Sequence, residues 1–422
     1  MPLWGAPTRK LMRILLLTQF YPPEFGAASI RLGRLAQMLV DAGHDVRVLT
    51  SMPNYPTGII PEAYRRKIFA RERQDGVEVV RVWVYASPKK SMRRRLLNQW
   101  TFMLTSAIRG TFLSRPDVIL VESHPLFVCL TGGWLSRIKR APIVLNVSDL
   151  WPESAVAVGA LSPDSRMVKA AAKVERWAYR DAAHIVAMTE GVKEGILCHL
   201  ERPERVTKIQ NAVDLERFQP GLAEQGRAMR QRLGIGDEIV VGHIGNMSLA
   251  HDFDLLVDAA AALPRMTFVF AGSGSLLEHV QARIQDEQIG NILLPGVLPH
   301  GDMPALWAAV DICAIAFRSH ALFEGALPSK MFEAMATGTP VVAAAQGETQ
   351  RLLENTGAGV AVQSGDRSAL IEQLQRLAKE PDKRKVMALA GREYALQNLS
   401  ALRVRDSFLK IFDRVVEGRR RH

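Results

Sequence analysis

Residues 323–343 read FEGALPSKMFEAMATGTPVVA. Pro328 and Ser329 open a helix, Gly338-Thr339-Pro340 ends it, and Val341–Ala343 is a buried strand. Lys330 and Glu333 stand three apart and share one face of the first turns. A helix that begins at the carboxyl edge of a parallel sheet offers unbonded N–H groups to phosphate oxygens. Lys330 would add a positive charge beside them. Glu333, acceptor-only when ionised, suits two vicinal hydroxyls of a ribose. Phosphate and ribose together make a nucleotide. The same spacing also describes a surface Lys–Glu pair of almost no energetic weight. Spacing alone leaves both readings open.

Outward from this segment, short continuous apolar runs recur. They are Ile14–Leu17, Val46–Thr50, Val118–Val121, Ile143–Val147 and Ile185–Met188, then Ile239–Ile244, Phe268–Phe270, Ile292–Leu294, Ile312–Ile315 and Val341–Ala343. Runs of this kind, rather than alternating ones, predict parallel strands covered on both faces. Helical stripes lie between them, as at Leu32, Leu35, Ala36, Leu39 and Val40, or Leu256, Ala259, Ala260 and Leu263. The class is α/β, with two Rossmann-like doubly wound domains over 12–218 and 237–398 and a polar linker over 219–236. A length of 422 residues agrees with two domains. Ligands of such sheets bind at strand carboxyl ends, so the loops after Leu17, Ile244, Phe270 and Ile315 are expected to face a common cleft.

Lys and Arg number 54 against 43 Asp and Glu, a net charge of +11 that calls for an anionic partner. Three cysteines, Cys129, Cys198 and Cys313, make no disulfide framework and favour a reducing cytoplasm. The opening MPLWGAPTRKLMRILLL has too short an apolar run for an export signal, and Met12 reads as a natural start. No stretch is long enough to span a membrane. Between Pro61 and Trp100, eleven Lys/Arg face four acids, and Arg93-Arg94-Arg95 runs into LLNQWTFML. Basic residues beside Leu, Trp and Phe predict a surface, over residues 65–95, that lies on an anionic membrane. A solvated basic face is the alternative. The cluster lacks interleaved recognition aromatics, so nucleic acid is not expected as a partner.

The motif P-S-K-x-x-E-A-M-A-x-G-x-P-V-V is similar to the C-terminal signature of the retaining glycosyltransferases of family 4, which have the GT-B fold. IQNAVDLERFQP (209–220), VVGHIGNMSLAHDFDLLVDAAAAL, FVFAGSGSLLEHV and LPGVLPHGDMPALWAAVDICAIAF resemble further units of that family in the right order. LLLTQFYPPEFGAASIRLGRLAQMLVDAGHDVRVLT resembles its opening βαβ, and NVSDLWPES resembles bacterial O-antigen and capsule sugar transferases. The resemblance implies an acceptor-binding N-terminal domain and a nucleotide-sugar-binding C-terminal one, facing each other across a cleft. A C-terminal helix over 399–422 would cross back to the first. It implies transfer, with retention and without metal or other cofactor, from a nucleotide diphosphate-sugar (UDP-sugar the commonest) to a polyprenyl-linked or saccharide acceptor. The setting would be cytoplasmic, on the inner face of the plasma membrane. A non-catalytic nucleotide-sugar binder and a 2-epimerase of the same fold are the alternatives.

Carried over by motif position, Glu333 is the ribose-holding second glutamate of the Glu–seven–Glu motif. The first, which faces the donor sugar, falls on Gly325, one residue from Glu324. The family's phosphate-binding Arg and Lys align with Asn246 and His251, leaving Lys330 as the cation for the diphosphate. Gly26, Gly274, Val297 and Ser329 complete the expected donor set. Asp149 matches the acid of a His-Asp pair in which Ser148 replaces the histidine, and His124, at a strand end, joins Asp149 and Glu324 as the expected catalytic group. Asp252-Phe253-Asp254 has the form of a metal-nucleotide clamp but stands where a helix cap is expected. Gly272-x-Gly274 is either a structural turn or a nucleotide-facing one.

Overall fold

The computed structural model describes residues 11–24, 26–89, 91–200 and 202–420. Residues 1–10 ahead of the expected start, Lys90 of the basic cluster and the last two residues of the expected terminal helix lie outside them. The chain forms two compact units: residues up to Met188, 192–210 and from Val404 onward, and residues 189–191 with Asn211–Arg403.

The first unit holds eight strands: β1 Arg13–Leu17, β2 Asp45–Ser51, β3 Phe69–Gln74, β4 Val77–Val82, β5 Val118–Glu122, β6 Ile143–Val147, β7 His184–Ala187 and β8 Val206–Lys208. Their order is β3-β4-β2-β1-β5-β6-β7-β8, parallel except for the β3–β4 hairpin. The second unit holds β9 Val240–Ile244, β10 Thr267–Ala271, β11 Ile292–Gly296, β12 Ile312–Ala316, β13 Val341–Ala344 and β14 Gly359–Val362. All six are parallel, in the order β11-β10-β9-β12-β13-β14.

Burial on both faces is visible residue by residue. In β12, Cys313 and Ile315 join one core while Ile312, Ala314 and Ala316 join the other, the two-residue period of a strand sandwiched between helices. The chain runs outward on opposite sides of β1 and β5, and of β9 and β12, so each sheet has a switch point where its loops diverge.

Ten strands stand where apolar runs place them. The structure adds β3, β4, β8 and β14. The β3–β4 hairpin turns at Asp75-Gly76, both at positive φ (48° and 85°), a turn pair that matches strand twist. It changes the reading of the basic cluster. Arg81 is fully buried and bonded to Glu72 at 2.5 Å, and Arg71 reaches Glu78 at 2.5 Å. Part of the expected surface charge is therefore internal or neutralised. The expected linker is also corrected, because Ala223–Leu233 is a helix with Met229 buried. Gln219 to Gly236 reads as linker because it is polar, and the helix needs only a narrow apolar stripe to dock.

The loops after β9 and β10 approach backbone to backbone. A Cβ on Gly272 (φ 141°) would stand 2.0 Å from the Gly245 carbonyl oxygen. Gly272→Ala is expected to destabilise the protein by about 2–4 kcal/mol through backbone strain and displacement of that loop. A urea midpoint equal to that of the wild type would remove the constraint.

Candidate nucleotide and catalytic site

In the second unit the switch-point loops are stitched together beyond β9 and β12. His251 and Phe317 form an antiparallel bridge, the Asp252 N–H donates to the Ala316 carbonyl at 3.0 Å, and Arg318 N–H donates to that of Ala250 at 3.0 Å. The helix Ser329–Thr337 begins on this edge behind Pro328 and ends at Gly338, which takes the left-handed conformation (φ 80°). Its first N–H groups have no acceptor within the helix.

Lys330 does not project as a free cation. It is only 8% exposed, and its Nζ contacts Nε2 of His243 and stands 3.5 Å from Nε2 of His251. Its stem lies over Gly245, where a Cβ would come within 3.3 Å of Cε. Burial pushes its pKa down to about 7, against the opposing pull of Cys313 and Glu333. His251 is itself buried, with Nδ1 2.9 Å from Ser248 Oγ and its ring stacked 5.1 Å from that of Phe317. Glu333 is half-buried and accepts from Trp307 Nε1 at 3.1 Å through Oε2. Burial raises its pKa, with Trp307 and then the charges of Lys330 and Arg217 opposing.

The other expected donor residues lie on the same sheet's carboxyl-side loops. Asn246 is exposed after β9, Gly274 (φ 159°) follows β10 against the Met247 carbonyl, and Val297 is exposed after β11. Ser329 is exposed as the first helical residue, and Glu324 is exposed at the end of the short helix Ala321–Glu324. Close packing accounts for Gly272 and Gly274 without any ligand. Asp252 caps the helix Phe253–Ala262 by accepting from Leu255 N–H at 3.1 Å, and Asp254 pairs with His279 and Arg283. The D-x-D triplet is thus committed to structure.

In the first unit, Gly26 precedes the helix Ala27–Asp41 with φ 174°, extended backbone that any residue adopts. Glu122, fully buried, accepts from Arg31 at 2.9 Å, Asn146 at 2.7 Å and Ser148 at 2.8 Å. Ser148, in place of the family's histidine, therefore serves that buried carboxylate. His124 and Asp149, both solvent-exposed, line one small cavity with Cys129, Trp151, Glu175 and Tyr179. Although the residue as a whole is exposed, desolvation of its carboxyl against the cavity wall raises the Asp149 pKa, opposed by a hydrogen bond from Ser154 and by His124. Glu175, 3% exposed, accepts from Tyr179 at 2.6 Å, and burial pushes it up to about 8.

Sequence reading missed His243, Trp307, Glu122 and Glu175. A histidine inside VVGHI or an indole inside ALWAAV carries the pattern of ordinary core. Among the described residues one trio, Glu153, Glu175 and His199, brings potential metal ligands within 4.8 Å of one another.

Two family models match the chain: a glycosyl transferase 4-like domain over residues 26–212 and glycosyl transferases group 1 over 226–394. With two doubly wound units, the chain belongs to the glycosyltransferases of the GT-B fold. It is 23% identical over 408 residues to the putative colanic acid biosynthesis glycosyl transferase WcaI of Escherichia coli K12, covering 94% of this chain and 99% of that one. Anabaena HepE, solved with UDP and glucose, matches with a TM-score of 0.73 at 20% identity, over 95% of this chain and 99% of that one. WaaG, a glycosyltransferase involved in lipopolysaccharide biosynthesis, matches with 0.69 at 15% identity, over 94% and 99%.

A native Glu175 pKa raised from 4.5 to about 8 favours the protonated acid in the fold. Its contribution to stability is then present at low pH and lost as pH rises through that window. Glu175→Gln is expected to flatten the fall in urea midpoint between about pH 5 and 8. An unchanged slope would contradict the buried-acid assignment.

Proposed function

We propose that the chain transfers a sugar, with retention, from a nucleoside diphosphate-sugar, UDP-sugar foremost, to a polyprenyl-linked or saccharide acceptor in cell-surface polysaccharide synthesis. One observation carries the donor half. The helix Ser329–Thr337 opens at the switch point of an all-parallel sheet, with Lys330 reaching back over Gly245 of β9's loop and Glu333 one turn further on. The N–H groups of the first turn and Lys330 would meet the departing diphosphate as its charge grows. Glu333, whose Oε1 has no hydrogen-bond partner among the described residues, would accept from the ribose. Glu324 is assigned to the donor sugar, and Asp149 with His124 to the acceptor hydroxyl. HepE, solved with UDP and glucose, and the names of WcaI and WaaG support the donor class and the biosynthetic setting.

The acceptor half rests on a surface. No helix among the described residues is long and apolar enough to cross a membrane. Yet the helix Met92–Thr111 leaves Leu97, Trp100, Leu104 and Ile108 exposed, and Phe112 follows, 76% exposed. Arg93 and Arg95 are exposed at its start, while Arg94 is half-buried and bonded to Ser87. An apolar stripe headed by arginines fits a peripheral stance on an anionic bilayer, where a lipid-linked acceptor would be held.

Glu333→Ala is expected to weaken UDP binding about 10- to 100-fold in calorimetry, the weight of hydrogen bonds to a charged group, with the melting transition retained. Unchanged affinity would remove the ribose role. Reversing Arg93, Arg94 and Arg95 to Glu is expected to lower sedimentation with anionic liposomes at least roughly 100-fold, at about 1 kcal/mol per arginine. Wild-type protein that stays in the supernatant would contradict membrane docking.

A further inference from the structure

Lys330, His243 and His251 bring three nitrogen bases together with no carboxylate bonded to any of them among the described residues. His243 is fully buried, and its Nδ1 lies 3.1 Å from the Ala314 carbonyl oxygen. A carbonyl only accepts, so Nδ1 carries the ring proton and Nε2 presents its lone pair to Lys330. His251 turns Nδ1 to Ser248 and Nε2 to the same ammonium. Lys330 thus donates into two neutral imidazoles. Burial first, then mutual repulsion with Lys330, holds both imidazoles well below their ordinary pKa, and burial brings Lys330 to about 7.

The groups that face this cluster offset its burial only in part, since Lys330 still falls to about 7. Cys313 of β12 is pushed up to about 12 by burial and is a neutral thiol. Glu333, on the same helix, is bonded to Trp307 and raised by its own burial, with the charges of Lys330 and Arg217 opposing. The carboxylate of Asp252 is taken by its helix cap. A cation this poorly balanced calls for an anion from outside, and Lys330 and His251, each 8% exposed, are the two members that are not wholly buried.

We propose that Lys330, His243 and His251 form a proton-loading anion site, in which a phosphoryl group docks at Lys330 and His251 and one proton is taken from solvent as it binds. The proton is shared between Lys330 and His251, and no covalent bond is made or broken. His243 touches no ligand; it is a positioning residue that fixes Lys330 Nζ on the sheet edge. This rests on the reading of the second unit as a nucleoside diphosphate site. At 251 this chain carries a conditional cation where the family resemblance places a lysine. Free protein loses the loaded form as pH rises above about 7, so anion affinity falls with it.

The test is calorimetry of UDP and, separately, of pyrophosphate with the whole protein at about pH 8, in Tris and in HEPES. UDP is fully ionised there, so a buffer-dependent heat reports proton uptake by the protein. The expected result is uptake of about half to one proton per ligand, and a Kd that weakens several-fold from about pH 7 to 8. Lys330→Met is expected to abolish the uptake. His251→Gln, which keeps the side chain's size and a donor, is expected to bind several-fold more weakly with the uptake reduced. His243→Gln is expected to shift the pH profile of Kd with an unchanged circular dichroism spectrum. UDP binding with equal heats in both buffers overturns the proton-loading site and leaves the nucleotide reading standing. Pyrophosphate bound with uptake while UDP fails to bind keeps the site and overturns the nucleotide reading. Binding of neither overturns the site.

Discussion

Burying an ammonium group costs several kcal/mol unless something accepts its protons. In this protein the acceptors are imidazoles rather than carboxylates. Much of the second unit's geometry serves that arrangement. Gly245 leaves room for the lysine stem, and β9 supplies His243 from within the sheet. The bridge from His251 to Phe317 folds the loop after β9 across the end of β12. A carboxylate partner would have stabilised Lys330 more strongly and would also have repelled a phosphate. Neutral partners would leave the lysine available to one.

The first unit solves the opposite problem at the corresponding edge of its sheet. There a buried acid, Glu122, is met by Arg31, Asn146 and Ser148. That satisfied network sets the ends of β5 and β6, from which His124 and Asp149 project to one cavity. Beside it Glu175 accepts from Tyr179, and burial outweighs that hydrogen bond and pushes its pKa up to about 8. The two units thus present different chemistry from similar scaffolds: nitrogen bases in the second, carboxylic groups in the first.

The parallel strands were legible because burial on both faces leaves unbroken apolar runs, and the helix Ser329–Thr337 because proline and glycine mark its ends. Capping chemistry correctly assigned Asp252. What failed has physical causes. The strand Phe69–Gln74 lies at the sheet edge with alternate residues exposed, so its sequence FARERQ carries little hydrophobic signal. Arg81 counts as surface charge in any local reading, and only its partners in the fold, Glu72 across the hairpin and the carbonyls of Ser51 and Pro22, show it to be internal. His243 is hidden by its apolar neighbours, since nothing local says that a lysine 87 residues later will reach it. Candidate residues spaced along one helix could be picked out from the sequence; contacts assembled by the sheet, such as that of His243 with Lys330, could not.

The most direct measurement of the central claim is a crystal structure of the protein with UDP. The account places the diphosphate oxygens within hydrogen-bonding distance of Lys330 Nζ and the N–H groups of Ser329 and Lys330, with the ribose hydroxyls on Glu333. Nucleotide ordered elsewhere, with Lys330 still enclosed by its two histidines, would contradict it.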